Sequence, residues 1–273
     1  MMRLSCLSLS FQNQFKAGKM DIFSYIRQCR ALNFDGIDPH MRDLGDANRD
    51  MLKRVRRQAL DNGLSISSIC VTTEFGRSKE AIPAEIAKAR QAIEAGMFLG
   101  APICRVFVGS APSPERAEEA FQYSADALRQ VAAVGADLGM LVALQNHSGL
   151  TSTGDDMLRY HKAVNHPNFS LLLDTGHFTG RNGPNGPKRE GHTYADYYRS
   201  IEQVAPLTQF VRAKLYQLDS AGKEQFIDYN RVFNILRGVH YNGFVSLVYE
   251  GREDEMAAVP RGARFLRSHV SAC

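Results

Sequence analysis

The chain has 273 residues, of which 44% are hydrophobic and 23% charged, a composition typical of a globular protein that can bury a large core. Its formal net charge of +4 is small for this length, so it slightly favours anionic small molecules and gives no support for nucleic-acid binding. The five cysteines are scattered without a C-x-x-C pair, and no apolar segment reaches the ~20 residues of a membrane span. We therefore expect a soluble, cytoplasmic protein with reduced thiols and no membrane partner.

Strand-like segments recur along the chain at a spacing that leaves room for one helix between neighbours. Several of them are apolar over their whole length, which is typical of strands buried on both faces of a parallel sheet. In chain order they are Leu4–Ser10, Gly36–His40, Ser65–Thr72, Ile103–Gly109, Leu141–His147, Ser170–Asp174, Phe210–Tyr216 and Phe244–Tyr249.

Between the strands lie segments with helical periodicity, the first capped by Asp21 and the second ended by Asn62-Gly63. They cover Ile22–Cys29, Met51–Asn62, Ala84–Leu99, Pro114–Leu138, Tyr194–Val204 and Tyr229–Val239, with a further helix-like segment between the fifth and sixth strands. This alternation predicts an α/β fold, a (β/α)8 TIM barrel in a single domain over residues 1–273. A doubly wound sheet is the alternative, but no Gly-x-Gly-x-x-Gly or Walker lysine loop follows any strand.

One connection is longer than the others. Phe178–His192 directly follows the sixth strand and contains four glycines and two prolines, so we expect a loop. A long loop at the carboxyl end of a barrel strand is suited to cover a site, and Arg181, Lys188 and Arg189 would then attract anions. The alternative is a solvated surface excursion.

Alternation along the strands places many ionisable side chains on the face that would point into the barrel. A barrel interior is normally apolar, so a buried Arg-x-Lys pair at Arg212 and Lys214 requires carboxylates or a ligand. The inward set comprises Asp38, His40, Arg105, Gln145, His147, Asp174, Arg212, Lys214, Tyr216 and Glu250. Because function in parallel α/β barrels collects at the carboxyl ends of strands, these side chains and the nearby His177 define the expected site.

The strand segments GIDPHMRDLGD, LVALQNHSG, LLLDTGHF, VRAKLYQLDSAGK and SLVYEG resemble those of the xylose isomerase-like TIM barrels. That superfamily includes sugar phosphate isomerases/epimerases, inosose dehydratases, ketose 3-epimerases and endonuclease IV. The resemblance covers nearly the whole chain and implies a divalent metal held by a Glu, an Asp, a His and a Glu on strands five to eight. Two of those carboxylates commonly act as the acid/base pair beside a sugar carbonyl.

Matched position by position, the four family ligands fall on Gln145, Asp174, Arg212 and Val248, so only the aspartate is retained. An arginine cannot ligate a metal at ordinary pH and would repel it. The resemblance therefore predicts a degenerate metal site in which Arg212, paired with Asp174, replaces the metal as a fixed charge. No cofactor is expected; a divalent metal (Mn, Mg or Zn) on His147, Asp174 and His177 is the alternative.

The remaining groups are compatible with catalysis. We expect Lys214 to have its pKa lowered by burial and by Arg212, as suits a general base or Schiff-base amine, with His147, Glu250 and Asp174 as further catalytic candidates. The predicted substrate-binding residues are Arg212, Gln145, His177, Arg105, Asp38, His40 and Tyr216.

The sequence thus predicts an isomerase- or epimerase-like enzyme acting on a sugar-like or anionic carbonyl compound by proton transfer next to the carbonyl, without the family's metal. Isomerisation, epimerisation and elimination all remain open, as does a homo-oligomer. The competing hypothesis is a non-catalytic ligand-binding or partner subunit on the same barrel. A nuclease like endonuclease IV is disfavoured because the many His and acidic ligands of its metal cluster are absent.

Overall fold

The computed structural model describes residues 1–183 and 191–271. All strand pairs in its sheet are parallel, and their order is β3-β2-β1-β9-β8-β7-β6-β5-β4. The strands are β1 Arg3–Leu7, β2 Gly36–Asp38, β3 Ser65–Ile66, β4 Ile69–Cys70, β5 Ile103–Val106, β6 Leu141–Gln145, β7 Phe169–Asp174, β8 Thr208–Leu215 and β9 Phe244–Tyr249. The predicted α/β barrel is confirmed.

The nine strands make eight barrel positions, because β3 and β4 are two halves of one interrupted strand. Ser67 leaves the ladder and its hydroxyl donates a hydrogen bond to the Ile37 carbonyl at 2.9 Å. A parallel bridge between His40 and Cys70 then joins the second half to the segment after β2, so the barrel closes. The prediction of one continuous strand over Ser65–Thr72 is therefore wrong, because the strand is interrupted between Ile66 and Ile69.

Helices follow the strands and cover the outside of the barrel. Within the described residues they are α1 Gln12–Lys16, α2 Ile22–Ala31, α3 Arg49–Asp61, α4 Ile82–Leu99, α5 Ala117–Asp137, α6 Gly154–Val164, α7 Tyr194–Val204, α8 Tyr229–Gly238 and α9 Glu255–Val270. The expected cap of α2 is present, because Asp21 Oδ1 accepts from the Ser24 amide at 2.7 Å. Helix α9 was not predicted from the sequence, although Asp254 marks its start as N-cap.

The barrel interior is layered along its axis. An apolar floor fills the amino-terminal end and consists of Ile103, Ala143, Leu172, Phe210 and Phe244. Above this floor the inward side chains become polar and charged, beginning at Arg212, which is 2% exposed. The floor excludes water from one end, so these charged groups can meet solvent and substrate only at the carboxyl ends of the strands. No helix in the described ranges is long and apolar enough to cross a membrane.

Candidate active site

The deeper charged layer is built around Arg212 of β8. Its Nη2 lies 3.4 Å from Asp38 Oδ2 and donates to the Cys70 sulfur at 2.6 Å, while Nη1 donates to Gln145 Oε1 at 2.7 Å. Ser246 completes the layer, because its hydroxyl donates to both oxygens of Asp38, at 2.9 and 3.0 Å. The inward orientation of Arg212 is thus as expected.

The expectation that Arg212 pairs with Asp174 is wrong. Arg212 and Asp174 are register partners in the sheet, yet the guanidinium forms its ion pair with Asp38 on the opposite side of the barrel. Burial raises the pKa of Asp38 to about 6 against the attraction of Arg212 and the Ser246 hydrogen bond. Burial likewise opposes the charge of Arg212, but Cys70, Asp38 and Asp174 together raise its pKa.

Gln145 connects this layer to the one above it. Its carbonyl oxygen accepts from Arg212, and its Nε2 donates to Asp174 Oδ2 at 2.6 Å. The Asp174 backbone is fixed by Asn146, whose Oδ1 accepts from the Asp174 amide at 2.6 Å and whose Nδ2 donates to its carbonyl at 2.9 Å. Asp174 is therefore a buried carboxylate with both side-chain oxygens already engaged, since the Gly176 amide donates to Oδ1.

The upper layer is centred on the ammonium group of Lys214. Its Nζ lies 3.0 Å from Glu250 Oε1 and 3.6 Å from Asp174 Oδ2. The Lys214 side chain is 3% exposed, whereas that of Glu250 is 31% exposed. Glu250 is therefore the carboxylate of this layer that a molecule entering from the barrel mouth can reach.

The expected lowering of the Lys214 pKa is wrong. Burial acts in that direction, but Asp174 and Glu250 attract the ammonium and raise its pKa above the ordinary value. For Glu250, burial would raise the pKa, but Lys214 and then His177 lower it. The pair is therefore an ammonium and a carboxylate at neutral pH, so Glu250 and not Lys214 is equipped as the base.

Two histidines form one side of the mouth. The rings of His147 and His177 are 4.0 Å apart between centroids, and Phe107 packs against His147 at 4.8 Å. His177 Nε2 lies 3.7 Å from Asp174 Oδ2. Burial, followed by the nearby Lys214, lowers the pKa of His177 well below its usual value, and burial also lowers that of His147. Both are neutral imidazoles at pH 7.

The other predicted binding residues lie at different depths. The His40 ring contacts Thr72, with Nε2 3.0 Å from the hydroxyl oxygen. Burial, and after it the charge of Arg105, lowers the pKa of His40 to about 2. Arg105 is buried, donates to the Val71 carbonyl at 2.9 Å and lies over Phe107. Tyr216 is half-buried at the mouth, where its hydroxyl contacts the Gly176 carbonyl at 3.4 Å. Of these three, Tyr216 is the one that borders the Lys214 layer.

The predicted covering loop is described in part. Arg181 folds back over the site: Nε donates to the Gly176 carbonyl at 3.0 Å and the guanidinium lies 4.2 Å from the centroid of the Tyr216 ring. Lys188 and Arg189 lie outside the described residues.

The side chains at the four expected ligand positions do not fit the divalent metal that the family resemblance implies. Val248 is buried among Leu7 and Cys70 and offers no ligand atom, and the Gln145 amide is engaged at both ends. The Lys214 ammonium already lies between the two nearest carboxylates. In the alternative triad the two histidine rings pack against each other with a tilt of 36°, and over residues 1–183 and 191–271 no three His, Cys, Asp or Glu side chains converge as a metal-binding group.

Several residues that hold the site were missed by sequence reasoning. Thr175 and Tyr229 support the Lys214 backbone: Thr175 Oγ1 accepts from the Lys214 amide at 3.0 Å, and the Tyr229 hydroxyl donates to the Lys214 carbonyl at 2.6 Å. Cys70 and Ser246 belong to the Arg212 layer. The inward parity of Ser246 was visible in the sequence; the others arrive from elements distant in the chain.

Comparison with known proteins agrees with this architecture. The family model described as the xylose isomerase-like TIM barrel matches residues 26–269, and the chain belongs to this family. No curated protein matches it in sequence. The fold is similar to that of a 3-keto-D-glucoside 4-epimerase from E. coli, with a TM-score of 0.76 at 18% identity, covering 98% of this chain and 100% of that one.

Two further solved structures show the same fold. One is a D-psicose 3-epimerase from Clostridium cellulolyticum H10, with a TM-score of 0.78 at 13% identity and full coverage of both chains. The other is a probable 3-DHS dehydratase from Bacillus anthracis, with a TM-score of 0.77 at 19% identity, covering 97% of this chain and 99% of that one. At such identities the likeness concerns the fold.

Proposed function

We propose that the protein is an isomerase- or epimerase-like enzyme that moves a proton next to the carbonyl of a sugar-like compound, with Lys214 and Glu250 in place of a metal-centred site. The observation that carries this proposal is the Lys214–Glu250 contact of 3.0 Å at the end of the barrel that lies above the apolar floor. Two of the solved structures with the same fold are sugar epimerases and one is a probable dehydratase, which supports an enzyme of this kind.

In the proposed reaction the Glu250 carboxylate removes the proton from the carbon beside the carbonyl. The C–H electron pair becomes the new C=C bond of an enolate, and the carbonyl π electrons move to oxygen. Lys214 donates a hydrogen bond to that oxygen as its negative charge develops, which is the electrostatic stabilisation an ammonium supplies in a water-poor site. For epimerisation, an acid on the opposite face of the enolate returns a proton to the same carbon. For isomerisation, Glu250 returns the proton to the former carbonyl carbon while the proton of the adjacent hydroxyl moves to the enolate oxygen, so that the carbonyl shifts by one carbon.

Other residues position this pair. Asp174 keeps the Lys214 ammonium protonated and is itself held by Gln145 and Asn146. His177 and His147 are neutral, so either can accept or donate a proton at a substrate hydroxyl.

Proton exchange tests the proposal without knowledge of the natural product. Protein dialysed against EDTA is incubated in D2O with a panel of free ketoses and aldoses, and loss of the α-proton signal is followed by NMR. We expect exchange with wild type and at least a hundredfold slower exchange with Glu250→Gln. Glu202→Gln is the matched control, because Glu202 pairs with Arg231 between the outer helices α7 and α8.

Two outcomes would contradict the proposal. If Glu250→Gln exchanged the α-proton at the wild-type rate, Glu250 would not be the base. If exchange appeared only after a divalent ion was added, the site would be metal-dependent. Binding of sugars without exchange in any member of the panel would favour the non-catalytic, ligand-binding alternative.

A further inference from the structure

A cavity of about 350 Å³ adjoins Glu250. It lies between the loops that follow β8 and β9, and Glu250 forms part of its wall. Its lining is mixed: Tyr216, Leu218 and Phe226 contribute apolar surface, and Gln217 and Arg252 contribute polar groups. A molecule that reacts at Glu250 can therefore extend into this cavity without leaving the barrel mouth.

The walls of the cavity are fixed by a single buried carboxylate. Glu224, which is 2% exposed, accepts from the amides of Tyr216 at 2.7 Å, Gln217 at 3.2 Å and Phe226 at 3.0 Å. These three residues therefore keep their relative positions when the cavity is empty. A preformed cleft of mixed apolar and polar lining is the usual form of a small-molecule subsite.

The base of the covering loop packs against Phe226, one of the residues that line the cavity. A Cβ placed on Gly183 would lie 2.4 Å from the Phe226 ring, so the loop backbone rests directly on that ring. Arg181 lies over the Tyr216 ring next to it. The backbone contact requires the absence of a side chain at position 183, where φ is +95°. The loop thus borders the cavity and not only the reacting carboxylate.

The charges on the lining favour a neutral occupant. Glu250 is paired with Lys214, and Glu253 with Arg261. Arg252 is exposed at the rim, and one exposed guanidinium is a poor site for a phosphate, which is usually held by several donors. A sugar ring, with an apolar C–H face and hydroxyl groups at its edge, matches a lining that combines aromatic and aliphatic side chains with polar groups.

We propose that this cavity binds a second, neutral sugar ring attached to the carbonyl-bearing sugar, so that the substrate class is a glycosylated carbonyl sugar and not a free monosaccharide. This inference rests on the proposed function, because it takes Glu250 as the reacting carboxylate. The cavity volume is at the small end of ligand sites, which suits one hexose-sized group.

Matched ketoses test the inference by isothermal titration calorimetry. D-fructose is compared with turanose, maltulose and isomaltulose, which carry a glucosyl group on different hydroxyls of the same ketose, and with D-fructose 6-phosphate. We expect at least one glucosyl ketose to bind about tenfold or more tightly than fructose, as burial of one apolar sugar face would give.

Variants identify the cavity as the cause. Phe226→Ala should remove the glucosyl preference while leaving fructose affinity unchanged, and Gln217→Trp should do the same by filling the space. Phe98→Ala is the control, because Phe98 lies near the carboxyl end of α4, at the floor end of the barrel where the chain enters β5. Equal affinities for fructose and all three glucosyl ketoses would overturn the inference, as would tighter binding of the 6-phosphate than of every glucosyl ketose.

The same samples separate this inference from the proposed reaction. A glucosyl preference that depends on Phe226, without α-proton exchange in D2O, supports the subsite and overturns the catalytic role of Glu250. Exchange with fructose, without any glucosyl preference, supports the reaction and overturns the subsite.

Discussion

Lys214 Nζ and Glu250 Oε1 lie 3.0 Å apart, and each holds the other in its charged form. Burial acts against both charges, lowering the pKa of the lysine and raising that of the glutamate, and it is overcome in both cases. The lysine is also held by Asp174, so its charge has two partners while Glu250 retains a face toward the mouth. This asymmetry leaves Glu250 available to a substrate.

Replacing Lys214 by Met should move the acid limb of the pH profile upward. Without the ammonium, burial dominates and the pKa of Glu250 rises above 4.5, its ordinary value. We expect the α-proton exchange rate to fall by about a hundredfold or more, as for loss of an oxyanion donor. The pH–rate profile in D2O measures both effects, and Lys214→Arg, which keeps the charge, should retain an acid limb close to that of wild type.

The stability of the same variant gives a check that needs no substrate. The lowered pKa of Glu250 stabilises the fold above pH 4.5, and this stabilisation is lost as the pH falls through the folded-state pKa of Glu250. The raised pKa of Lys214 stabilises the fold below pH 10.5, and this stabilisation is lost as the pH rises through the folded-state pKa of Lys214. The difference in unfolding free energy between wild type and Lys214→Met should therefore be largest between these limits. A difference that does not change with pH would contradict the ion pair.

How far the sequence predicts this site depends on where each partner lies in the chain. Strand parity correctly placed Arg212 and Lys214 inside the barrel, because alternation is a local property. The adjacency of β7 and β8 led to the prediction that Arg212 pairs with Asp174. The guanidinium instead contacts Asp38, which is 174 residues away in the chain. The length of an arginine side chain lets it cross the barrel, and parity carries no information about such a reach.

The direction of the Lys214 pKa failed for a related reason. The expectation weighed burial, which does act to lower the pKa, and the like charge of Arg212, but without any distances to the carboxylates. Two anions at 3.0 and 3.6 Å outweigh these effects. Similarly, the strand break after Ile66 depends on a hydrogen bond from Ser67 to Ile37, and its local sequence reads as an unbroken strand.

Substituting Gly176 by Ala should disturb the reacting pair directly. A Cβ at this position would lie 2.6 Å from Lys214 Cγ and 2.7 Å from the Tyr216 hydroxyl, so the lysine must move away from Glu250. We expect at least a tenfold loss of exchange rate. Gly238→Ala is the matched control, since nothing lies within 4 Å of its added methyl group; it should leave the rate unchanged. Equal rates in both variants would show that the Lys214 position does not matter.

Removing the Tyr229 hydroxyl should weaken the support of Lys214. The hydroxyl donates to the Lys214 carbonyl at 2.6 Å and lies 2.9 Å from Thr175 Oγ1. Tyr229→Phe leaves the buried Lys214 carbonyl without that donor and the Thr175 hydroxyl without that partner, for an expected loss of about 1–3 kcal/mol in unfolding free energy. If the hydroxyl also positions the lysine, kcat falls while KM stays constant, and addition of Thr175→Val to Tyr229→Phe should cost less than the sum of the single changes. Strict additivity in both quantities would contradict the shared network.

The Arg212–Asp38 pair should behave as a buried ion pair whose halves depend on each other. Arg212→Met leaves a buried carboxylate and Asp38→Asn leaves a buried guanidinium, so each single change should cost about 3–5 kcal/mol in unfolding free energy. The double variant should cost clearly less than the sum, because no charge is then stranded. Arg57→Met, which removes an exposed pair with Asp61, serves as a control that should unfold like wild type.

The pH dependence gives an independent readout: the pKa of Asp38 is raised to about 6, so its contribution to stability is full below pH 3.8 and is lost as the pH rises through 6. That slope between pH 4 and 6 should vanish in Asp38→Asn, and its persistence there would assign it to another group.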